Sequence, residues 1–181
     1  NAVEQFIGDK AIQEGYTFDP APKLQKERVA IIGGGPAGLS AAYQLRKMGY
    51  ASTIFEERKE LGGMMRYGIP GYRTPRDLLD KEIERIINLG DIEIILGKRV
   101  GKDVKLEDVE KSHDAVLWTI GCWNGKAIPV DGGDATNCIT GVDFLEAFCD
   151  GRLKVGSKKV ICVGGGDTVS YTHLRAHETS S

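Results

Sequence analysis

Residues 29–38 read Val-Ala-Ile-Ile-Gly-Gly-Gly-Pro-Ala-Gly, a short apolar run that stops on three glycines. A buried run this brief, bounded by turn residues, is a strand and not a helix. Gly33-x-Gly35-x-x-Gly38 fits the pattern G-x-G-x-x-G, in which each glycine has its own task. The first allows the tight turn, the second lets backbone approach a pyrophosphate, and the third lets a helix pack closely on a strand. Residues 37–48 then carry a helical pattern ending at Gly49, and Ala51 to Glu56 read as a second strand. The start of that helix presents unpaired N–H groups and the positive end of its dipole to an anion. Glu56 closes the second strand roughly 20 residues after the first glycine, where an acid accepts from a ribose hydroxyl. Together these parts predict a β-α-β dinucleotide-binding unit; a glycine turn that only packs is the alternative.

The remaining pattern extends this unit into an α/β domain. Residues 2–15 show apolar residues at helical spacing, and 16–27, with two prolines, read as a linker. Leu61-Gly62-Gly63 lies in a loop. Thr74 is an N-cap candidate with Pro75 at N1, opening a helix that Gly90 ends. Ile92 to Leu96 and Asp114 to Gly121 read as strands, 141–149 as a short helix and Lys159 to Val163 as a last strand. That strand runs into Gly164-Gly165-Gly166-Asp167-Thr168, the first half of another glycine turn. A plain strand-to-turn junction is its alternative.

Composition excludes several classes. The chain has 181 residues and a net charge of −2, so no basic surface for nucleic acid is implied. No apolar run approaches the roughly 20 residues that span a bilayer. With no signal peptide at its start the chain is read as cytoplasmic. The four cysteines, Cys122, Cys138, Cys149 and Cys162, form no C-x-x-C pair, and no metal ligand set is legible. Cys162, inside an apolar run, reads as a small buried residue, and His113, just before a strand, as a surface residue. His173 and His177 stand four apart without the acid of H-E-x-x-H, so no metal is assigned to them.

Three stretches carry a family resemblance: Val29 to Gly38; Phe55-Glu56-Glu57-Arg58 through Leu61-Gly62-Gly63-Met64; and Arg66-Tyr67-Gly68-Ile69-Pro70-Gly71-Tyr72-Arg73. They resemble the small (β) subunit of glutamate synthase and its relatives, the flavin half of dihydropyrimidine dehydrogenase and NADPH:ferredoxin oxidoreductases among them. The resemblance runs from residue 1 to about 168. It implies a Rossmann-like FAD-binding domain over 28–127, the beginning of an NAD(P)-binding domain over 128–168, and, in 1–27, a helix and linker following an iron–sulfur domain absent here. Gly33, Gly35, Pro36, Ala37 and Gly38 would hold the FAD pyrophosphate, and Glu56 the adenosine ribose. Leu61, Gly62 and Gly63 would line the ribityl and flavin side. Arg73 would reach FAD from its loop and Val100 would touch adenine through its backbone, although a surface charge and a core residue are their plain alternatives. Thr119, Ile120 and Gly121 resemble a second FAD-contacting turn; Gly164, Gly165, Gly166, Asp167 and Thr168 resemble the start of the NAD(P) site.

From about residue 169 the chain departs from the family. Val-Ser-Tyr-Thr-His-Leu-Arg-Ala-His-Glu-Thr resembles a translated sequencing adapter, so 169–181 are expected to be non-native, a divergent tail being the alternative. The expectation is therefore a fragment of a flavoprotein oxidoreductase, inactive alone. The intact enzyme would pass hydride from NAD(P)H to FAD and electrons onward to iron–sulfur clusters, a ferredoxin-like carrier or a partner subunit. Hydride transfer needs no side-chain acid or base, so no catalytic residue is assigned. A nucleotide-binding module without turnover is the competing reading.

Overall fold

The computed structural model describes residues 2–153, 159–164 and 166. In chain order the elements are α1 (Ala2–Gln13), β1 (Arg28–Ile32), α2 (Pro36–Lys47), β2 (Ala51–Glu56), α3 (Gly63–Tyr67), α4 (Arg76–Ile87), β3 (Ile92–Leu96), α5 (Leu106–Ser112), β4 (Ala115–Trp118) and α6 (Gly141–Cys149). The chain divides into two compact units, 1–65 with 75–121, and 66–74 with 122–181.

The first unit is built on a four-stranded sheet of order β3-β2-β1-β4, in which every neighbouring pair is parallel. Parallel strands need crossovers that return along a face, so both faces are covered and the central strands are largely buried, the polar Ser52, Thr53 and Glu56 of β2 included. One face carries Ile31 of β1, Ile54 of β2 and Ile92 of β3, packed with Leu39 and Ala42 of α2 and Leu79 and Ile83 of α4. The other carries Ala30, Ile32 and Phe55 against Val109 of α5. The register puts Ile31 beside Ile54, so side chains one residue apart go to opposite cores. The chain winds outward from β1 to β3 and then crosses back to β4, so the strand order reverses between β1 and β4. In open α/β sheets such a reversal opens a crevice at the carboxyl ends of the strands.

The linker expected over 16–27 is an ordered strap on the first unit. Phe18 meets Tyr43 of α2 edge-on at 4.9 Å, and the Arg85 guanidinium of α4 lies 4.4 Å from the Phe18 ring centre. Gly49 follows α2 with φ +93, and a Cβ there would come within 2.5 Å of the Lys23 carbonyl. Helix α1 forms as expected, yet none of its residues is buried.

Four local readings change. Gly63, read as part of a loop, opens α3, and α5 was not anticipated. Pro75, and not Thr74, is the N-cap of α4. The last expected strand, Lys159 to Val163, has no regular structure, and Ile161 is 90% exposed. A strand is stable only when paired, and no strand ladder among the described residues includes it. Cys162 on that segment is accordingly half-buried.

In the second unit, Tyr67 and Trp123 meet edge-on at 6.4 Å. Thr140 caps α6 by accepting from the Asp143 amide, and Phe144 and Leu145 are its buried residues. No helix among the described residues is long and apolar enough to cross a membrane.

Candidate nucleotide site

At the carboxyl end of β1 the chain turns through Gly33 with φ +111. A Cβ at Gly33 would stand 2.5 Å from the Thr119 carbonyl oxygen, so glycine is required on two counts. Gly35 is the N-cap of α2, and Pro36 opens the helix. Proline suits that position because its missing N–H would have had no intrahelical acceptor. The amides of Ala37 and Gly38 in the first turn likewise lack one. Pro36 and Ala37 are exposed, and the first turn carries no acidic side chain. Gly38 is buried, and a Cβ there would overlap the Gly33 carbonyl oxygen.

Glu56 ends β2 next to this turn and is 6% exposed. One carboxylate oxygen accepts from the Gly34 amide at 2.7 Å, and the other from the Arg58 amide at 2.9 Å. The Gly33 amide donates to the Phe55 carbonyl at 2.8 Å. The turn after β1 is thereby tied to the end of β2 by one backbone and one side-chain bond.

The Leu61-Gly62-Gly63 segment lies against the same turn. The Gly62 amide donates to the Gly34 carbonyl at 2.9 Å. Gly63, with φ +51, approaches so closely that its Cβ would fall 2.6 Å from the Gly35 Cα. From the other side, at the end of β4, the Thr119 hydroxyl lies 2.9 Å from the Gly33 carbonyl oxygen and 3.0 Å from that of Ile32. Ile120 and Gly121 follow it and are exposed. Gly33, Gly35, Pro36, Ala37, Gly38, Glu56, Leu61, Gly62, Gly63 and Thr119 therefore converge at the end of the sheet.

The remaining candidates stand apart. Val100 is half-buried, pairs with Val104 and packs beside Ile32 and Phe55; the nearby Lys98 amide donates to the Glu56 carbonyl at 3.0 Å. Arg73 belongs to the second unit, where its amide donates to Pro70. Gly164 and Gly166 are described, the former with φ +117, whereas Gly165, Asp167 and Thr168 lie outside the described residues. Gly34 was missed as an individual: it is buried, holds Glu56, and a Cβ there would run into Leu61. The signal was present in the unbroken run of three glycines.

His113, read as a surface residue, is half-buried. Its Nδ1 lies 3.0 Å from the Val109 carbonyl and its Nε2 3.0 Å from the Thr53 hydroxyl, while its ring meets Phe55 edge-on. At the opposite end of the strands, Arg28, Ala51, Asp91, Ile92 and Glu93 line a shallow hollow of about 270 Å³. No group of three or more His, Cys, Asp or Glu that could hold a metal occurs among the described residues.

A glycine turn at the reversal of a parallel sheet, closed by a buried acid, is an arrangement in which open α/β folds bind nucleotides. The family model described as pyridine nucleotide-disulphide oxidoreductase matches residues 27–170. The chain belongs to this family. Among its relatives the chain is 44% identical over 153 residues to the NADPH-Fe(3+) oxidoreductase subunit beta of Geobacter sulfurreducens, a match covering 81% of this chain and 23% of that protein. It is 31% identical over 180 residues to the glutamate synthase [NADPH] small chain of Azospirillum brasilense, covering 92% and 37%. The fold is similar to that of 2-naphthoyl-CoA reductase, with a TM-score of 0.67 and 21% identity over 92% of this chain and 24% of that one. It is also similar to Mycobacterium tuberculosis FprA in complex with NADPH, at 0.63 and 22% over 68% and 29%. The chain spans less than half the length of each of these proteins.

Proposed function

We propose that residues 28–127 bind FAD, and that the chain is the flavin-binding part of an oxidoreductase in which NAD(P)H reduces the flavin. The observation that carries this reading is the glycine turn at the β1–β4 reversal, held by Glu56 and crowded until no Cβ fits at Gly33, Gly38 or Gly63. Such crowding brings bare backbone amides to a surface, which suits phosphate oxygens.

In this reading the Gly35, Ala37 and Gly38 amides hold the pyrophosphate, with Pro36 fixing the helix entry. Each Glu56 oxygen already accepts one backbone bond and retains acceptor capacity for a ribose hydroxyl. Leu61, Gly62 and Gly63 line the ribityl side, residues 119–121 flank it, Val100 lies towards adenine, and Arg73 supplies a guanidinium to phosphate. Bound FAD would supply the redox chemistry, taking hydride from NAD(P)H and releasing electrons onward. The chain's own residues bind, orient and exclude water.

Residues 128–168 begin the NAD(P) domain in this reading, with Gly164, Gly165, Gly166, Asp167 and Thr168 as its glycine turn. The electrons would pass to a partner subunit or an iron–sulfur carrier; relatives named as subunits and small chains support a partner.

The test is a visible absorption spectrum of the chain after incubation with FAD and desalting. A retained flavin band, weakened in Glu56→Ala at a temperature where both are folded, is the expected result. A folded chain that keeps no flavin would remove the FAD assignment and favour a nicotinamide-only or structural Rossmann unit.

A further inference from the structure

The peptide joining Gly33 to Gly34 is gripped at both of its polar atoms. Its carbonyl oxygen, on Gly33, lies 2.9 Å from the Thr119 hydroxyl. Its N–H, on Gly34, donates to the Glu56 carboxylate at 2.7 Å. The two grips come from different strands, Thr119 following β4 and Glu56 ending β2, so they close on the peptide from either side of β1. A peptide between two glycines is the one most free to rotate about its flanking dihedrals, because neither residue has a Cβ to restrict φ. Rotation of this plane would break the Gly34–Glu56 bond and release the turn that leads into the helix entry at Gly35, where a phosphate is proposed to lie.

We propose that Thr119 is a positioning residue of the nucleotide site: its hydroxyl locks the Gly33–Gly34 peptide plane against Glu56, and the hydroxyl itself does not bind the cofactor. The proposal rests on the dinucleotide reading above and deepens it. A hydroxyl has a single proton to donate. The Ile32 carbonyl, the other oxygen within reach, already accepts from the Thr119 amide at 2.9 Å, which leaves Gly33 as the acceptor in need of that proton. Directed at β1, the hydroxyl has no donor left for a ligand. The buried Gly38 helps from beneath, since its bare Cα leaves room for the Gly33 carbonyl beside the hydroxyl. Holding a turn in its binding geometry before the ligand arrives raises affinity by removing the cost of ordering it.

The test compares the full chain with Thr119→Val and Thr119→Ser, using ADP and FAD as separate titrants, with amide hydrogen exchange at Gly34 read without ligand. ADP carries the pyrophosphate but no flavin. Thr119→Val is expected to weaken ADP and FAD alike, about five- to tenfold, the scale of one lost hydrogen bond. It should also speed exchange at Gly34 while leaving Ile54 in the core protected. Thr119→Ser, which keeps the hydroxyl, is expected to match the parent in all three. Weaker FAD binding with unchanged ADP binding would make Thr119 a flavin contact and overturn the proposal. Exchange that rises equally at Gly34 and Ile54 would reduce its role to general stability and overturn it too. Should Thr119→Val fail to fold, Thr119→Ser decides: parent-like ADP affinity and Gly34 protection uphold the proposal, and a loss of either removes it. A folded parent that binds neither ADP nor FAD would defeat the dinucleotide reading itself, whereas a parent that binds both and a Thr119→Val that matches it would defeat only the role of Thr119.

Discussion

Gly38 lies within helix α2, where alanine is ordinarily the better residue by about 1 kcal/mol. Here the sign reverses, because a Cβ would overlap the Gly33 carbonyl oxygen, which is backbone and cannot rotate away as a side chain would. Overpacking of this kind typically costs about 1–3 kcal/mol, enough to outweigh the gain in propensity. Gly38→Ala is therefore expected to lower the urea midpoint and the retained flavin together. Gly90 provides the contrast: it has φ +77 with nothing near its Cβ position. Gly90→Ala should cost about 1–2 kcal/mol through backbone strain alone and leave flavin retention unchanged. Equal flavin loss in both variants would show that the glycine turn has no special role in binding. Glu56 is subject to a different constraint. Both of its oxygens receive backbone N–H groups inside the protein, so it shapes the site before any ligand enters.

At the scale of elements, ion pairs illustrate why burial decides. Arg46, at the end of α2, pairs with Asp91 at 2.9 Å and donates to the Gly90 carbonyl at 3.0 Å, with its own side chain 8% exposed. It fastens α2 to the turn before β3 and helps Asp91 hold φ +55, a conformation L-residues resist. Arg28, which opens β1, pairs with Glu93 of β3 at 3.0 Å, but the two side chains are 49% and 57% exposed. Exposed pairs contribute about 0–1 kcal/mol, whereas a buried guanidinium with a charged and a backbone partner is worth more. Arg46→Leu is expected to lower the thermal midpoint by several degrees and Arg28→Leu by much less. The reverse order would mean that the Asp91 turn is held by other contacts. Strand β4 differs from its neighbours in lying at the sheet edge, with Trp118 53% exposed. Val116 packs against the core around Ala30, Ile32, Phe55 and Val109, and just past the strand Thr119 meets the glycine turn.

At the scale of the whole molecule, the glycine turn, Glu56 and Thr119 belong to a single unit, while residues 159–163, read as the strand opening the nicotinamide half, are not formed into a strand. Those residues carry no regular structure, and Ile161 and Val163 are exposed. The flavin-loaded chain is therefore expected to show no faster bleaching under anaerobic NADPH than free FAD, measured by stopped-flow absorbance. Rapid bleaching would place a working nicotinamide site within these residues. The sequence by itself determined β1, α2 and β2, because a buried strand, a glycine turn and a β-branched second strand are local signals that no tertiary contact opposes. It likewise indicated Gly33, Gly35, Gly38 and Glu56 as one constellation, since their spacing is set by one helix between two strands. Family resemblance, and not local pattern, brought in Leu61, Gly62, Gly63 and Thr119. Only the tertiary structure decided what these residues touch. Gly34 becomes distinctive when Glu56 reaches back across the turn. His113 leaves the surface because Thr53 and Phe55 offer it a place. The Thr119 hydroxyl reaches the Gly33 carbonyl because parallel pairing sets β4 beside β1. Conversely, 159–163 has a strand's composition but lacks a strand among its described neighbours. Composition can favour an extended chain, but the hydrogen bonds that make it a strand come from a partner that sequence pattern alone does not supply.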